Sequence, residues 1–432
     1  MASPSGYIRG ARPIDTWVGL VICALLFGWS RIRSLFDGPR LPPMRATTPP
    51  IPGTSAALPR RVLGIKFYGL GNIVMLLPAL QALRETFPAA EIDFLTFEEN
   101  RILLERSGLI TRTIGVSMRD SWSLVRSLLG AIRTVLGQRY DVVLDFEQFI
   151  KLSAIIAFLT GAPRRVGFNT DGQHRAWLYT TRVVYTDSDH MSRIFMRILR
   201  AVGVIASPRP TRIITLPAEE EHVETVLREQ GIVPGSFPLI AVHVGSGPNF
   251  YRLPLKRWPS GNFAHLCDAL EQRHGATVVL TGKGPEERAL VCETRAQMQR
   301  PAVDLCDRLS LPQLVALLRQ CHLVVANDTS VMHLAAAVGT PVVAFFGPTA
   351  PLHYGPGNRD DLVFYRDLYC SPCLTNYNLK VSRCLNPVCI RSIDVEDVLH
   401  AIEARFFGPS ASLRARVQGA TSARRQQRAA AG

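Results

Sequence analysis

The chain has 432 residues, of which 47% are hydrophobic and 19% charged, so it is long enough for two domains with a substantial core. Its formal net charge is +14, but residues 1–61 and residues 405–432 each contribute +6, which leaves only +2 between them. The basic charge therefore lies in the flanks and does not indicate a nucleic-acid groove, and nine cysteines are too few for a disulfide scaffold.

An uncharged, mostly apolar run covers residues 17–29, with arginines on both sides of it. The run is short for a membrane span, which needs about 20 residues. An uncleaved anchor, a helix on the membrane surface and a signal peptide all fit, but no small-residue cleavage site follows closely. We therefore predict a membrane-associated segment over residues 1–36, followed by a linker over residues 37–60, which contain seven prolines.

The first α/β pattern starts at residue 61, where a strand, a helix and a second strand predict a βαβ unit. The turn Gly69-Leu70-Gly71-Asn72 follows the first strand, which is the usual ligand position in such a sheet. A dinucleotide-binding loop would need a third glycine that this turn lacks, so NAD binding is not favoured.

A second series of strands and helices begins after a charged helix over residues 219–230. Two such series predict an α/β protein with two Rossmann-like domains. We place an N-terminal domain at residues 61–216, a C-terminal domain at residues 217–407 and a disordered basic tail at residues 408–432.

The most informative stretch of the second series covers residues 327–341, between two apolar runs that predict buried strands. Asp328 and Thr329 lie where the N-cap of a short helix belongs, and Gly339 closes that helix. A helix start after a strand offers backbone N–H groups and a positive dipole end to a phosphate. His333 lies one turn into the same helix.

Small and basic residues follow other strands of this series. Gly245 and Ser246 end its first strand, and the basic pair Lys256-Arg257 comes soon after. A cation can stabilise charge that develops on a phosphate, but from these residues alone a solvated basic turn with Trp258 in the core is the favoured interpretation.

Four cysteines near the end of the second series have near zinc-like spacing: Cys370, Cys373, Cys384 and Cys389. A structural zinc, two disulfides and four free thiols remain alternatives. No Asp-x-Asp follows a strand, so the sequence offers no sign of a Mg²⁺ or Mn²⁺ site.

Several of these motifs resemble glycosyltransferase family 9, the ADP-heptose:lipopolysaccharide heptosyltransferase family. The stretch 327–341 followed by Gly-Pro-Thr at residues 347–349 resembles the family's nucleotide-sugar loop, and residues 62–88 resemble its N-terminal motif. The sequence Lys-Arg-Trp-Pro at residues 256–259 matches a further family motif. The resemblance covers about residues 61–405 and implies the GT-B fold, in which two Rossmann-like domains face a cleft.

The resemblance also implies a donor site. In the family, the Asp, Thr and His of the loop hold the nucleotide sugar, the lysine of Lys-Arg-Trp-Pro meets the diphosphate, and a turn similar to residues 281–287 lies near the base. Ser330 stands where the family commonly has glycine. The expected donor-binding residues are Gly245, Ser246, Lys256, Arg257, Gly282, Asp328, Thr329, Ser330 and His333.

The first domain departs from the family at the residue that acts as the general base. The family has an aspartate where this chain has Asn72, and an amide cannot take a proton at neutral pH. Three alternatives follow. Another carboxylate can serve as the base, or Asn72 can orient the acceptor while the proton leaves to water or to the donor phosphate. In the third alternative the chain has lost transfer activity. The candidate carboxylates are Asp145, Glu147, Glu98 and Glu99, of which Asp145 fits a strand-end capping role equally well. The expected catalytic residues are Asn72, Asp145 and Lys256, and the expected acceptor-binding residues are Gly69, Gly71 and Asn72.

The resemblance thus implies an inverting, metal-independent glycosyltransferase that requires no cofactor. A structural zinc at the four cysteines is the one metal ion that remains an alternative. The enzyme would move heptose or a similar sugar from a nucleotide-diphosphate donor to an envelope glycan or glycolipid such as lipopolysaccharide. The expected partners are the donor, that acceptor and the membrane surface, and no nucleic acid is expected. The expected location of the two domains is the cytoplasmic side of the inner membrane. A sugar-nucleotide epimerase and a non-catalytic sugar-nucleotide-binding paralogue are the rival functions.

Overall fold

The computed structural model of the protein describes residue 15 and residues 18–36, 58–207, 213–233, 238–246 and 255–408, with the backbone alone at residues 29–36. The predicted proline-rich linker lies outside the described residues apart from its last three positions. The predicted basic tail lies outside them apart from Gly408.

The chain divides into two compact α/β units. The first unit takes the residues up to Thr211 together with Thr375–Val381, and the second takes Arg212–Leu374 and the residues from Ser382 onward. This division falls near the predicted boundary at residue 216, but the sequence did not predict the return of residues 375–381 to the first unit.

The first unit is built on six parallel strands in the order β3-β2-β1-β4-β5-β6. The strands are β1 (Arg61–Ile65), β2 (Glu91–Phe97), β3 (Arg112–Val116), β4 (Val142–Asp145), β5 (Arg164–Asn169) and β6 (Thr181–Val184). The helices are α1 (Gly19–Phe36), α2 (Leu70–Thr86), α3 (Glu98–Arg106), α4 (Ser121–Leu136), α5 (Lys151–Leu159) and α6 (Met191–Arg200), with a 3₁₀ turn at Arg175–Leu178.

Helix α1 packs on the first unit. Cys23 is buried, and the ring of Phe27 lies 5.9 Å from that of Trp177 in the 3₁₀ turn. The carboxylate of Asp15 accepts hydrogen bonds from the backbone N–H groups of Lys151 and Leu152, at the start of α5. No helix in the described part of the chain is both long and apolar enough to cross a membrane.

The second unit repeats the architecture, with six parallel strands in the order β12-β11-β10-β7-β8-β9. The strands are β7 (Leu239–His243), β8 (Thr277–Thr281), β9 (Val303–Asp304), β10 (Leu323–Asn327), β11 (Val342–Phe346) and β12 (Leu362–Tyr365). The helices are α7 (Pro217–Glu229), α8 (Ser260–His274), α9 (Gly284–Gln297), α10 (Leu311–Gln320), α11 (Ser330–Ala337), α12 (Pro351–Tyr354), α13 (Val388–Arg391) and α14 (Val395–Ile402).

The three central strands of the second sheet, β7, β10 and β11, are buried on both faces, as expected for a parallel sheet covered by helices. Trp258 is central to this core, because its ring stacks 4.1 Å from Phe345 and its indole N–H donates to the carbonyl oxygen of Ile393. The predicted fold class, two Rossmann-like domains of parallel strands, is therefore confirmed.

Candidate functional site

Each sheet has one point where the strand order reverses, and ligands of such sheets bind outside the carboxyl ends of the strands at that point. In the second unit, β7 and β10 are neighbours, with Ala326 in register with His243. The turn after β7 and the turn after β10 therefore lie side by side. Gly245 and Ser246 belong to the first of these turns, and Asp328 and Thr329 belong to the second.

Asp328 is the centre of this arrangement. Its Oδ2 lies 2.6 Å from the ammonium nitrogen of Lys256 and accepts a second hydrogen bond of 2.6 Å from the hydroxyl of Thr349. Burial is the largest influence on the pKa of the Asp328 carboxyl and would raise it, but Lys256, Thr349 and His333 together outweigh burial and the pKa is lowered. The carboxylate is therefore ionised, and it fixes the direction of the lysine that the sequence singled out.

The turn itself is held by Asn327, the last residue of β10. Its side-chain oxygen accepts from the backbone N–H of Trp258 at 2.9 Å, and its amide nitrogen donates to the carbonyl oxygens of Val244 and Gly245 at 3.0 Å. One buried amide thus joins three separate chain segments. Neither Asn327 nor Thr349 received a role from the sequence, although an amide residue ending an apolar strand is a recognisable signal.

Helix α11 starts where the sequence predicted, and Thr329 is its N-cap. The hydroxyl of Thr329 accepts from the backbone N–H of Val331 at 3.0 Å, while Asp328 turns to Lys256 instead of capping. Ser330 opens the helix, and His333 is buried one turn later, where it helps to lower the pKa of Asp328.

The other predicted donor residues surround Glu287, a residue that received no role from the sequence. A Cβ on Gly245 would overlap the carboxylate of Glu287, and a Cβ on Gly282 would lie 3.2 Å from its Cβ. Oε2 of Glu287 accepts from the backbone N–H of Lys283 at 2.8 Å. Gly245 is therefore needed because Glu287 packs against it, and Gly282 because the sulfur of Cys306, 2.9 Å from such a Cβ, and Glu287 both lie close.

Arg257 has different partners from Lys256. Its Nε donates to the hydroxyl of Ser246 at 3.1 Å, and its NH2 lies 2.5 Å from Glu286. The guanidinium thus bridges the turn after β7 and the start of α9.

In the first unit, the strand order reverses between β1 and β4, and the predicted acceptor turn follows β1. Gly69 has φ +86°, and a Cβ there would lie 2.7 Å from the amide nitrogen of Asn72. Gly71 and Asn72 lie in the first turn of α2. Within the part of the chain that the structure describes, the Asn72 side chain forms no hydrogen bond, so it is available to a ligand.

Asp145 is fully buried at the end of β4. One of its oxygens lies 2.6 Å from Arg175 and accepts from the hydroxyl of Tyr179 at 2.6 Å, and the other accepts from the backbone N–H of Glu147. Burial raises the pKa of Asp145, against the opposing charge of Arg175. These partners favour the structural alternative for Asp145 over the catalytic one, which stays a prediction.

Glu147 is also fully buried, 3.0 Å from the ammonium nitrogen of Lys66. Its other oxygen accepts from the backbone N–H groups of Phe67 and Tyr68, so it holds the chain that leads into the acceptor turn. Among the alternative bases, Glu98 is exposed and forms an ion pair with Arg101.

The four cysteines of the predicted zinc site differ in burial: Cys389 is buried, Cys373 and Cys384 are half-buried, and Cys370 is exposed. Burial is the main reason that the pKa of Cys389 is raised to about 11. No group of three or more His, Cys, Asp or Glu side chains within the described ranges could hold a metal ion. The zinc site therefore stays a prediction without structural support.

The sequence profile of Glycosyltransferase family 9 (heptosyltransferase) matches residues 129–381, which is more than half of the chain. The chain belongs to glycosyltransferase family 9. The predicted family and the predicted enzyme class are thus confirmed, and the protein is a glycosyltransferase.

Two kinds of relative illustrate this membership. Lipopolysaccharide heptosyltransferase 3 of Escherichia coli K12 is 23% identical over 77% of this chain and 94% of its own length. Among solved structures, a family 9 glycosyl transferase of Veillonella parvula superposes with a TM-score of 0.67 at 23% identity, over 80% of this chain and 96% of that one. E. coli ADP-heptose LPS heptosyltransferase II superposes with a TM-score of 0.62 at 20% identity, over 80% of this chain and 98% of that one.

Proposed function

We propose that this family 9 glycosyltransferase moves heptose, or a closely similar sugar, from an ADP-linked donor to a lipopolysaccharide-type acceptor. The second unit holds the donor, and the first unit holds the acceptor. The observation that carries the proposal is the Lys256–Asp328 pair at the strand-order reversal of the second sheet. The names of the relatives supply the sugar and the acceptor, because those proteins are lipopolysaccharide heptosyltransferases.

Lys256 neutralises the diphosphate as it leaves. An ammonium group has three N–H donors, of which Asp328 takes one, so the others remain for phosphate oxygens. The backbone N–H groups at the start of α11 add the positive end of a helix dipole to the same turn. The proposed reaction is a direct displacement with inversion at the sugar carbon. In this reaction the Lys256 ammonium, and no metal ion, stabilises the negative charge of the departing diphosphate.

The acceptor hydroxyl is oriented by Asn72 rather than deprotonated by it, because an amide is not a base at neutral pH. The proton then leaves to water or to the donor phosphate. Asp145 and Glu147 are poor substitutes for a base, because Arg175 and Lys66 already neutralise them in the core. We propose that transfer takes place at the cytoplasmic face of the inner membrane, where a lipid-linked acceptor is accessible.

The function is tested by calorimetric titration with ADP-heptose, GDP-mannose and UDP-glucose, followed by a transfer assay on heptose-deficient lipopolysaccharide. We expect ADP-heptose to bind most tightly and the acceptor to gain one heptose. Binding without transfer in the wild type, with transfer restored by Asn72→Asp, would instead establish a non-catalytic donor-binding protein. Rearrangement of the donor in the absence of any acceptor would establish an epimerase.

A further inference from the structure

Helix α4 covers one face of the first sheet but uses only part of its apolar surface for that purpose. Ala131 and Val135 are its buried residues. They belong to a core cluster that also contains Leu63 of β1, Ala154 of α5 and Cys23 of α1. Helices α1, α4 and α5 therefore form one covering layer on the same side of this sheet.

The outward side of α4 carries a second apolar stripe. Trp122 is 73% exposed, Val125 50%, Leu129 62% and Leu136 45%. Their spacing of three, four and seven residues places all four on one side of the helix. A solvated helix normally presents polar residues on that side, so the stripe indicates a surface that is covered in use.

Basic residues accompany the stripe. Arg119, Arg126, Arg133 and Arg139 are exposed, and within the described residues none of the four lies at ion-pair distance from a carboxylate. Asp120 is the single acid of residues 119–139, and it is occupied as the N-cap of α4 with the backbone N–H and the hydroxyl of Ser123. The net charge of this segment is therefore +3.

Helix α1, in the same covering layer, also exposes apolar side chains. While Cys23 is buried against the unit, Val21 and Leu25 are exposed, as is Val18 directly before the helix. The covering layer thus presents large apolar side chains outward from two of its helices.

We propose that the outward face of α4 docks on an anionic lipid bilayer. This inference rests on the proposed function, because it gives the first unit a way to reach a lipid-linked acceptor. A tryptophan and aliphatic side chains flanked by unpaired arginines are the chemistry of an interfacial helix, in which the rings enter the headgroup region and the arginines meet lipid phosphates. A two-fold contact with a second copy would set the same arginines against each other, so the charge favours lipid over a dimer.

The test is sedimentation of the full chain with vesicles of phosphatidylcholine containing about 30 mol% phosphatidylglycerol, and with phosphatidylcholine alone. We expect the wild type to bind the anionic vesicles preferentially, with binding that weakens when salt rises from about 0.15 M to about 1 M. The double variant Trp122→Ser/Leu129→Ser should bind at least about tenfold more weakly, because two large apolar side chains are no longer removed from water on binding. The double variant Arg126→Ala/Arg133→Ala should weaken binding to the anionic vesicles and leave binding to the phosphatidylcholine vesicles unchanged.

Val184→Ser is the matched control, because Val184 is 65% exposed in the same unit but lies on β6. It should bind vesicles like the wild type. Equal binding by the wild type and the Trp122→Ser/Leu129→Ser variant would overturn the proposal. So would a wild-type dimer that this variant converts to a monomer, since the face would then belong to a second copy.

Failure of the docking face and failure of the proposed function would give different results. Trp122→Ser/Leu129→Ser should bind ADP-heptose with unchanged affinity, and Lys256→Ala should bind vesicles like the wild type. Loss of vesicle binding with normal donor binding would support the docking face. Normal vesicle binding by a wild type that binds no ADP-heptose would contradict the function and leave the docking face supported.

Discussion

Lys256 and Asp328 are 72 positions apart in the chain, yet the ammonium nitrogen of one lies 2.6 Å from a carboxylate oxygen of the other. Asp328 is buried, while the Lys256 side chain keeps about a fifth of its surface exposed, at 22%. The carboxylate is thus the fixed member of the pair, and the lysine remains accessible to a ligand from the solvent side.

Lys256→Ala should weaken ADP-heptose binding at least about tenfold, because a charge-assisted contact to phosphate contributes roughly 1.5–3 kcal/mol. The variant should also unfold at a lower denaturant concentration, because Asp328 would lose its main counter-charge. Calorimetry and urea titration measure the two effects. Arg300→Ala removes the same charge from an exposed site on the second unit and should leave donor affinity unchanged. Unaltered donor affinity in Lys256→Ala would remove this lysine from the site.

Asn72→Ala should lower kcat/KM for the acceptor about tenfold while donor affinity stays constant, because one hydrogen bond to the acceptor is lost. Steady-state transfer assays combined with donor calorimetry separate these quantities. Gln81→Ala is the control, since Gln81 lies on the same helix and bonds only to Glu85 among the described residues. Equal rates for Asn72→Ala and the wild type would show that the amide has no part in transfer.

Asp145→Asn should destabilise the first unit by about 3–5 kcal/mol, because it leaves the buried Arg175 guanidinium without its counter-charge. The folded fraction of the variant should retain transfer activity per donor-binding site. Urea unfolding gives the first quantity, and active-site titration with donor gives the second. A stable variant without transfer activity would instead establish Asp145 as the catalytic carboxylate.

The pH dependence of stability should contain a contribution from Glu271 on α8. Burial, followed by the neighbouring Asp268, raises the pKa of Glu271 to about 7 from an ordinary value of 4.5, and Arg300 opposes the shift. Because the folded-state pKa is the higher one, folding is favoured most below pH 4.5 and loses this contribution as pH rises through about 7.

Glu271→Gln removes the charge, so it should raise the unfolding free energy at pH 8 by about 1 kcal/mol, after discounting for the half-exposed position of the side chain. The difference from wild type should vanish near pH 4.5. Urea titrations at a series of pH values provide the comparison. A stabilisation that is the same at every pH would rule out titration of Glu271 as the cause.

Local patterns in the sequence were sufficient for the fold class and for the position of the predicted donor turn. The alternation of apolar runs and helices predicts parallel strands, and the turn at residues 327–341 appears as a strand, a capped helix and a strand. These features depend on neighbours a few residues apart, which is why the sequence alone reveals them.

Local patterns in the sequence did not predict the partners of the charged residues. The sequence placed Asp328 at a helix cap, whereas in the fold its partners are Thr349 and Lys256. The sequence also left Asp145 with two possible roles, because it gave no sign that Arg175 is the partner of Asp145. Which strands become neighbours decides these contacts, and no local pattern encodes that choice.

By itself, the sequence determined that this protein has two parallel-sheet domains, because strand and helix periodicity and capping are local properties. Only the tertiary structure decided which side chains face one another and which apolar stripe of α4 stays exposed. The physical reason is that burial and ion pairing depend on distance in space, which the order of the strands sets.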